Sequence, residues 1–196
     1  MIVANLSWYV ARSSGIIGWL LLAASVVWGL ALSTKVLRGH PRPNWILDLH
    51  RFLGGLAIVF VAVHVVAILI DTYTSFGLVE VLVPFTGNWH PVAVAGGIIG
   101  LYVLAAVEIT SLLRKRLSKR AWRMTHYLSF PLFALTTVHT LTAGTDRRTV
   151  VLRASVIVVV LVVTALTATR VQKADKHDLL TSPPSGVPSR SRTRVR

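Results

Sequence analysis

Four histidines stand inside apolar stretches in two matched pairs. His50 and His64 lie fourteen positions apart, and His126 and His139 thirteen. At a rise of about 1.5 Å per residue, either interval covers roughly 20 Å of helix. That fits within a hydrocarbon core of about 30 Å, so each pair places one imidazole towards each face of a membrane. Two such helices side by side offer two stacked sites, each with two facing imidazoles and no thiolate or carboxylate. This donor set suits two haems, one above the other, with histidine on both axial positions. The chemistry it points to is electron transfer across a bilayer. A lone histidine in an apolar helix is ordinarily a satisfied polar group, but four ionisable side chains in register at membrane depth are a functional signal.

The elements that would hold them are membrane helices. The chain is 54% hydrophobic with a mean hydropathy of +0.66, and its charges fall in a few short stretches. It contains no cysteine, which excludes disulfides, thiolate-held metals, iron–sulfur clusters and covalently attached haem. The net charge of +14 does not call for nucleic acid. The basic residues flank apolar spans, where membrane insertion and anionic lipid account for them. Five spans are expected: 14–34, 51–71, from Pro91 to before Arg114, 124–145 and 150–169. The last is rich in valine and isoleucine, but its length favours helix over strand. The fold class is therefore an all-α membrane bundle of about five helices. Residues 1–170 form the membrane domain, and 171–196 a disordered basic tail rich in Pro, Ser and Arg.

Loop charge sets the direction. The first loop carries Lys35, Arg38, Arg42 and Arg51, the third carries six cations between Arg114 and Arg123, and the tail adds Arg170, Lys173 and Lys176. The second loop has only Asp71 and Glu80, and the fourth has Asp146, Arg147 and Arg148. The positive-inside bias puts the first loop, third loop and tail in the cytoplasm and the N-terminus outside. No leader cleavage is expected, because the first span is too long and lacks a basic start. Trp8 and Trp89 then mark the outer interface, Trp45 and Trp122 the inner one. His50 pairs with His126 at the cytoplasmic end, and His64 with His139 towards the outside.

One step resists a straight helix. Fourteen residues return a side chain to within about 40° of its starting face, whereas thirteen leave it about 140° away. Pro131, between His126 and His139, removes a backbone donor, and a change of winding there would bring His139 round. Gly54 and Gly55, one turn after His50, leave room either for a macrocycle or for close helix packing.

On these residues the chain resembles the ferric reductase-like transmembrane domain family, which includes NADPH oxidases, ferric reductases and the haem-binding membrane subunit of methionine sulfoxide reductase. HRFLGGLAIVFVAVH resembles the first haem helix of that family, and LLRKRLSKRAWRMTHYLSFPLFALTTVH its basic loop and second haem helix. The likeness runs from the first span to the fifth. The family commonly has six spans, and the first of those is the one without a counterpart here. The resemblance implies two b-type haems on His50, His64, His126 and His139. Larger members continue into a cytosolic FAD- and NADPH-binding domain. No glycine-rich nucleotide fingerprint follows the fifth span here, so the expected donor is a separate cytoplasmic flavin reductase, as in smaller bacterial members.

Secondary residues follow. Arg51 suits a propionate of the inner haem or a snorkelling interface position, and Arg12 and Arg153 suit the outer haem in the same way. Glu108 is expected to pair with the basic third loop. His90 is expected on an exposed outer loop, and His40 and His177 in solvated basic stretches. The leading function is a haem conduit in a bacterial cell membrane. It runs from a cytoplasmic flavoprotein to an outer acceptor: a ferric chelate, oxygen or a partner reductase. A quinol-linked cytochrome b is the alternative. A histidine-based metal transporter is disfavoured, because such sites converge near the midplane while these histidines divide into two layers.

Overall fold

The computed structural model describes residues 2–34, 44–72 and 76–181, and these contain only helices, turns and connecting chain. The helices are α1 (Ile2–Thr34), α2 (Asn44–Ile70), the short α3 (Leu78–Leu82), α4 (Pro91–Leu112), α5 (Lys119–Tyr127), α6 (Ser129–Ala143) and α7 (Val150–Thr181), with a 3₁₀ turn over Thr145–Arg148. Four are long and apolar enough to cross a membrane, over Leu6–Thr34, Trp45–Ile70, Pro91–Leu112 and Val150–Lys173. The chain is an integral membrane protein of the all-helical class. α7 runs on through residues 171–181, which the sequence reading assigned to a disordered tail; residues 182–196 lie outside the described residues.

The expected fourth span departs from a single rod. It is divided at Leu128 into α5 and α6, and α6 has only fifteen residues. The cause is Pro131: it cannot donate to the carbonyl four residues back, at Tyr127, and its ring crowds that carbonyl. The turn tightens instead. The Leu128 amide donates to the Thr125 carbonyl at 3.0 Å, and the regular ladder resumes when Leu132 donates to Leu128 at 2.9 Å.

α1 packs along α2 and also meets α6 and α7, while α4 packs along α6 and touches α2. Midway along the bundle, Leu22, Ala57, Leu104 and Leu132 form a buried apolar layer, one residue from each of α1, α2, α4 and α6. A second cluster of Ala23, Val26, Leu30, Phe133 and Val163 joins α1 and α6 to α7. Trp19 crosses between helices, its indole N–H donating to Thr137 Oγ1 at 3.0 Å in a buried bond. At one end Arg12 of α1 grips Asp146 of the 3₁₀ turn through two contacts, the Nε–Oδ2 one at 2.9 Å. At the opposite end Lys173 of α7 donates to the Thr34 carbonyl of α1 at 3.0 Å.

Candidate cofactor site

The bundle brings the four histidines into two facing pairs. The His50 and His126 rings have centroids 6.0 Å apart, and the His64 and His139 rings 6.4 Å apart. α2 achieves its half by step length alone. α6 achieves its half through the break at Leu128, which interrupts the winding between His126 and His139.

Three of the imidazoles are oriented by the same device. Nδ1 of His64 lies 2.7 Å from the Ala11 carbonyl, Nδ1 of His50 lies 2.9 Å from the Ser25 carbonyl, and Nδ1 of His139 lies 2.8 Å from the Ala93 carbonyl. A carbonyl only accepts, so each Nδ1 carries the proton and leaves the Nε2 lone pair for a metal. Helical carbonyls are normally shielded by the side chain four residues on, because Cβ atoms tilt towards the N-terminus. Here that position is glycine each time: Gly15, Gly29 and Gly97. An added Cβ would come within 2.8 Å of His64 Nδ1 at Gly15, 3.2 Å of His50 Cε1 at Gly29 and 2.6 Å of His139 Cε1 at Gly97. The glycines are therefore a condition of the hydrogen bonds.

The fourth imidazole is held differently. Nδ1 of His126 is buried without a hydrogen-bond partner among the described residues, as is Nε1 of Trp122. Trp122 stacks on His126 one helical turn away, with centroids 5.1 Å apart and planes inclined by 22°. The Arg114 guanidinium lies over the indole, 4.7 Å from its ring centre.

The donor set discriminates between metal groups. Among the described residues no three His, Cys, Asp or Glu side chains gather to hold a metal ion. Two imidazoles alone do not complete the coordination of a bare ion, whereas a macrocycle brings the remaining ligands itself. Two imidazoles sharing one metal, with bonds of about 2 Å and rings of about 1 Å half-width, would have centroids about 6 Å apart. The observed separations match, so the residues fit haem.

A cavity opens around the His64–His139 pair, floored by Leu22 and Leu104 and reaching Trp8 and Trp89. Its walls have a common register. Ala11, Gly15, Gly18 and Leu22 on α1 recur as Ala93, Gly97, Gly100 and Leu104 on α4 with identical spacing.

Among the secondary expectations, only the pairing of Glu108 with the basic third loop is corrected. Arg12 lines the cavity, but its guanidinium is committed to Asp146. Arg153 is exposed, and its Nε donates to the Arg147 carbonyl at 2.8 Å. Arg51 is exposed and pairs with Asp48 at 3.4 Å. Glu108 makes no ion pair among the described residues; it fills the gap at Gly54, where a Cβ would meet its Oε1 at 2.5 Å. Gly54 is thus occupied by a carboxylate, and Gly55 has nothing within 4 Å. His90 is exposed as expected, capping α4 in the left-handed region with φ of 41°. His40 and the side chain of His177 lie outside the described residues. The three glycines were the functional residues missed by the sequence reading. Their signal was present, since Gly15 and Gly29 repeat the fourteen-residue interval of His50 and His64.

The model of the ferric reductase like transmembrane component family matches residues 14–137, and the chain belongs to that family. The match takes in His50, His64 and His126 and stops just short of His139. Membership makes the chain an oxidoreductase component of membrane electron transfer mediated by haem. Neither a curated protein nor a solved structure matches it.

Proposed function

We propose that this protein carries electrons across the membrane through two b-type haems. His50 and His126 hold the inner one, and His64 and His139 the outer one. The observation that carries this reading is the pair of imidazole couples, each about 6 Å between centroids, with Ala57 and Leu132 of the buried apolar layer lying between them in the chain. Haem when bound supplies one-electron storage and release. The chain supplies the rest. Backbone carbonyls fix the tautomer and orientation of three ligands, the glycines admit the rings, and the apolar layer keeps water and protons out of the space between the pairs.

Direction follows from charge. Arg114, Lys115 and Arg116 precede α5, and α5 itself carries Lys119, Arg120 and Arg123 beside Trp122 and His126. Arg170 covers the Tyr127 ring at 5.6 Å, and Lys173 binds Thr34 at the same end. The His50–His126 end is therefore the basic, cytoplasmic one. Its exposed cations suit an acidic surface on a separate flavin reductase, the donor. The acceptor, a ferric chelate, oxygen or a partner reductase, approaches the His64–His139 end between Trp8 and Trp89.

An optical spectrum of the dithionite-reduced purified protein, with pyridine haemochrome quantitation, tests this. The expected result is sharp low-spin b-type bands and two haems per chain. A chain that binds no haem when haem supply is adequate sinks the reading, and a single haem removes the two-layer pathway.

A further inference from the structure

The shared register of α1 and α4 extends one step further, and there it fails. On α1, fourteen residues beyond Ala11 and Gly15 come Ser25 and Gly29, the carbonyl and gap that serve His50. On α4, fourteen residues beyond Ala93 and Gly97 come Val107 and Ser111. The same interval carries both helices from the outer layer to the inner one, so Val107 is the carbonyl that corresponds to Ser25. It is not open. The Ser111 hydroxyl donates to it at 2.7 Å; the Thr110 contact at 3.1 Å is not what distinguishes it, because the Ala11 carbonyl also accepts from the Ser14 hydroxyl at 3.2 Å and still serves His64. Position 111 also carries the Cβ that glycine omits at 15, 29 and 97. The histidine of that layer, His126, is the one whose buried Nδ1 has no partner among the described residues.

We infer that Ser111 is a positioning residue that withholds the Val107 carbonyl from His126, leaving the inner haem asymmetrically ligated and at a higher midpoint potential than the outer haem. The inference rests on the haem reading above. A carbonyl that accepts from Nδ1–H makes an imidazole more basic, which favours the oxidised metal and lowers its potential. The outer haem has two ligands so strengthened, while the inner haem has one. The Arg114 charge over Trp122 acts in the same direction at the inner site, since a nearby cation favours the reduced form. Electrons delivered from the basic face would thus rest on the inner haem before moving outwards.

Potentiometric titration of the haem-loaded full chain, followed optically and by electron paramagnetic resonance, tests this. A His64→Ala chain, carrying only the inner haem, assigns the two midpoints. In the wild type the inner midpoint is expected above the outer. Ser111→Gly opens the carbonyl and should lower the inner midpoint alone, with a change in the g-anisotropy of that haem only. Ser111→Ala removes the hydroxyl but keeps the Cβ, so any fall in the inner midpoint should be smaller than in Ser111→Gly, and a larger fall would overturn the inference. An inner midpoint at or below the outer one overturns the inference, and so does a Ser111→Gly chain whose inner midpoint does not move. If Ser111→Gly fails to retain haem, the wild-type order still decides. A chain with no haem at all fails the underlying reading; two haems in the wrong order fail only this one.

Discussion

The two histidine layers are built from the same parts up to a point, and they differ in what holds the ligand on the α5–α6 side. His139 sits in the body of α6 and leans on the backbone of α4, through Ala93 and the gap at Gly97. His126 sits in the last turn of the nine-residue α5 and leans on a side chain, Trp122, which leans in turn on Arg114. A ligand held by a helix carbonyl is insulated from most substitutions, because the carbonyl is present whatever side chain is attached. A ligand held by a stacked indole and a guanidinium depends on two particular side chains. The layer nearer the cavity is thus fixed by architecture, and the layer nearer the basic loop by side chains that sequence change can tune.

The bluntest way to break this comparison is to remove ligands. Alanine at His64 or His139 should leave one haem per chain, as should alanine at His50 or His126, and optical spectra should show that the two sets lose different haems. If His50→Ala and His64→Ala lost the same one, the layers would be paired wrongly. A subtler attack adds a methyl group. Gly97→Ala puts a Cβ 2.6 Å from the His139 ring, an overpacking that costs about 1–3 kcal/mol. Outer-haem retention should fall about five- to 150-fold, with the inner haem unaffected. Gly55→Ala, with nothing within 4 Å, should change neither. Equal losses in both variants would show that glycine content, and not the carbonyl gap, is what matters.

Trp122→Leu probes the other side. Losing the stack on His126 should cost about 0.5–1.5 kcal/mol and loosen only the inner haem, read as its faster loss to apomyoglobin. Arg12→Gln should have a smaller effect. The Arg12–Asp146 pair ties α1 to the 3₁₀ turn, but the two side chains are 31% and 21% exposed. Screening by solvent holds its value to about 1 kcal/mol or less, a shift of a few degrees in thermal midpoint that leaves both haems in place. A much larger drop would make this pair part of the outer site. The least effect is expected from Arg116→Gln with Lys119→Gln: about a twofold slower haem reduction by a flavin reductase, an effect that disappears at high salt. Rates indifferent to salt would confine those cations to topology.

The facing of the four histidines was legible because their intervals carry the information. Fourteen and thirteen positions, in apolar helices, imply two layers before any tertiary contact is known. The division of the fourth span was signalled by Pro131, although the break falls three residues earlier, where the missing amide is felt. What escaped depended on partners distant in sequence. Arg12 and Asp146 are 134 positions apart, and nothing local distinguishes that pair from a propionate-binding arginine. Glu108 was assigned to the nearest cations in the chain, yet it turns into the gap at Gly54 on another helix. The carbonyls of Ala11, Ser25 and Ala93 have no side-chain signature, and only the glycine four residues beyond each one betrays them.

The break at Leu128 also changes how near a soluble protein can come. α6 alone is about 22 Å long, well short of a hydrocarbon core of about 30 Å. Lipid beside a short span thins to match it. α5 is too polar to extend the apolar length, with Lys119, Arg120 and Arg123 within nine residues. On the electron-transfer reading proposed above, a bilayer that thins to match α6 would bring the headgroup layer towards His126 on this side of the bundle. Electron tunnelling weakens steeply with distance, so a kink that proline imposes for reasons of backbone chemistry would also shorten the gap from a docked donor.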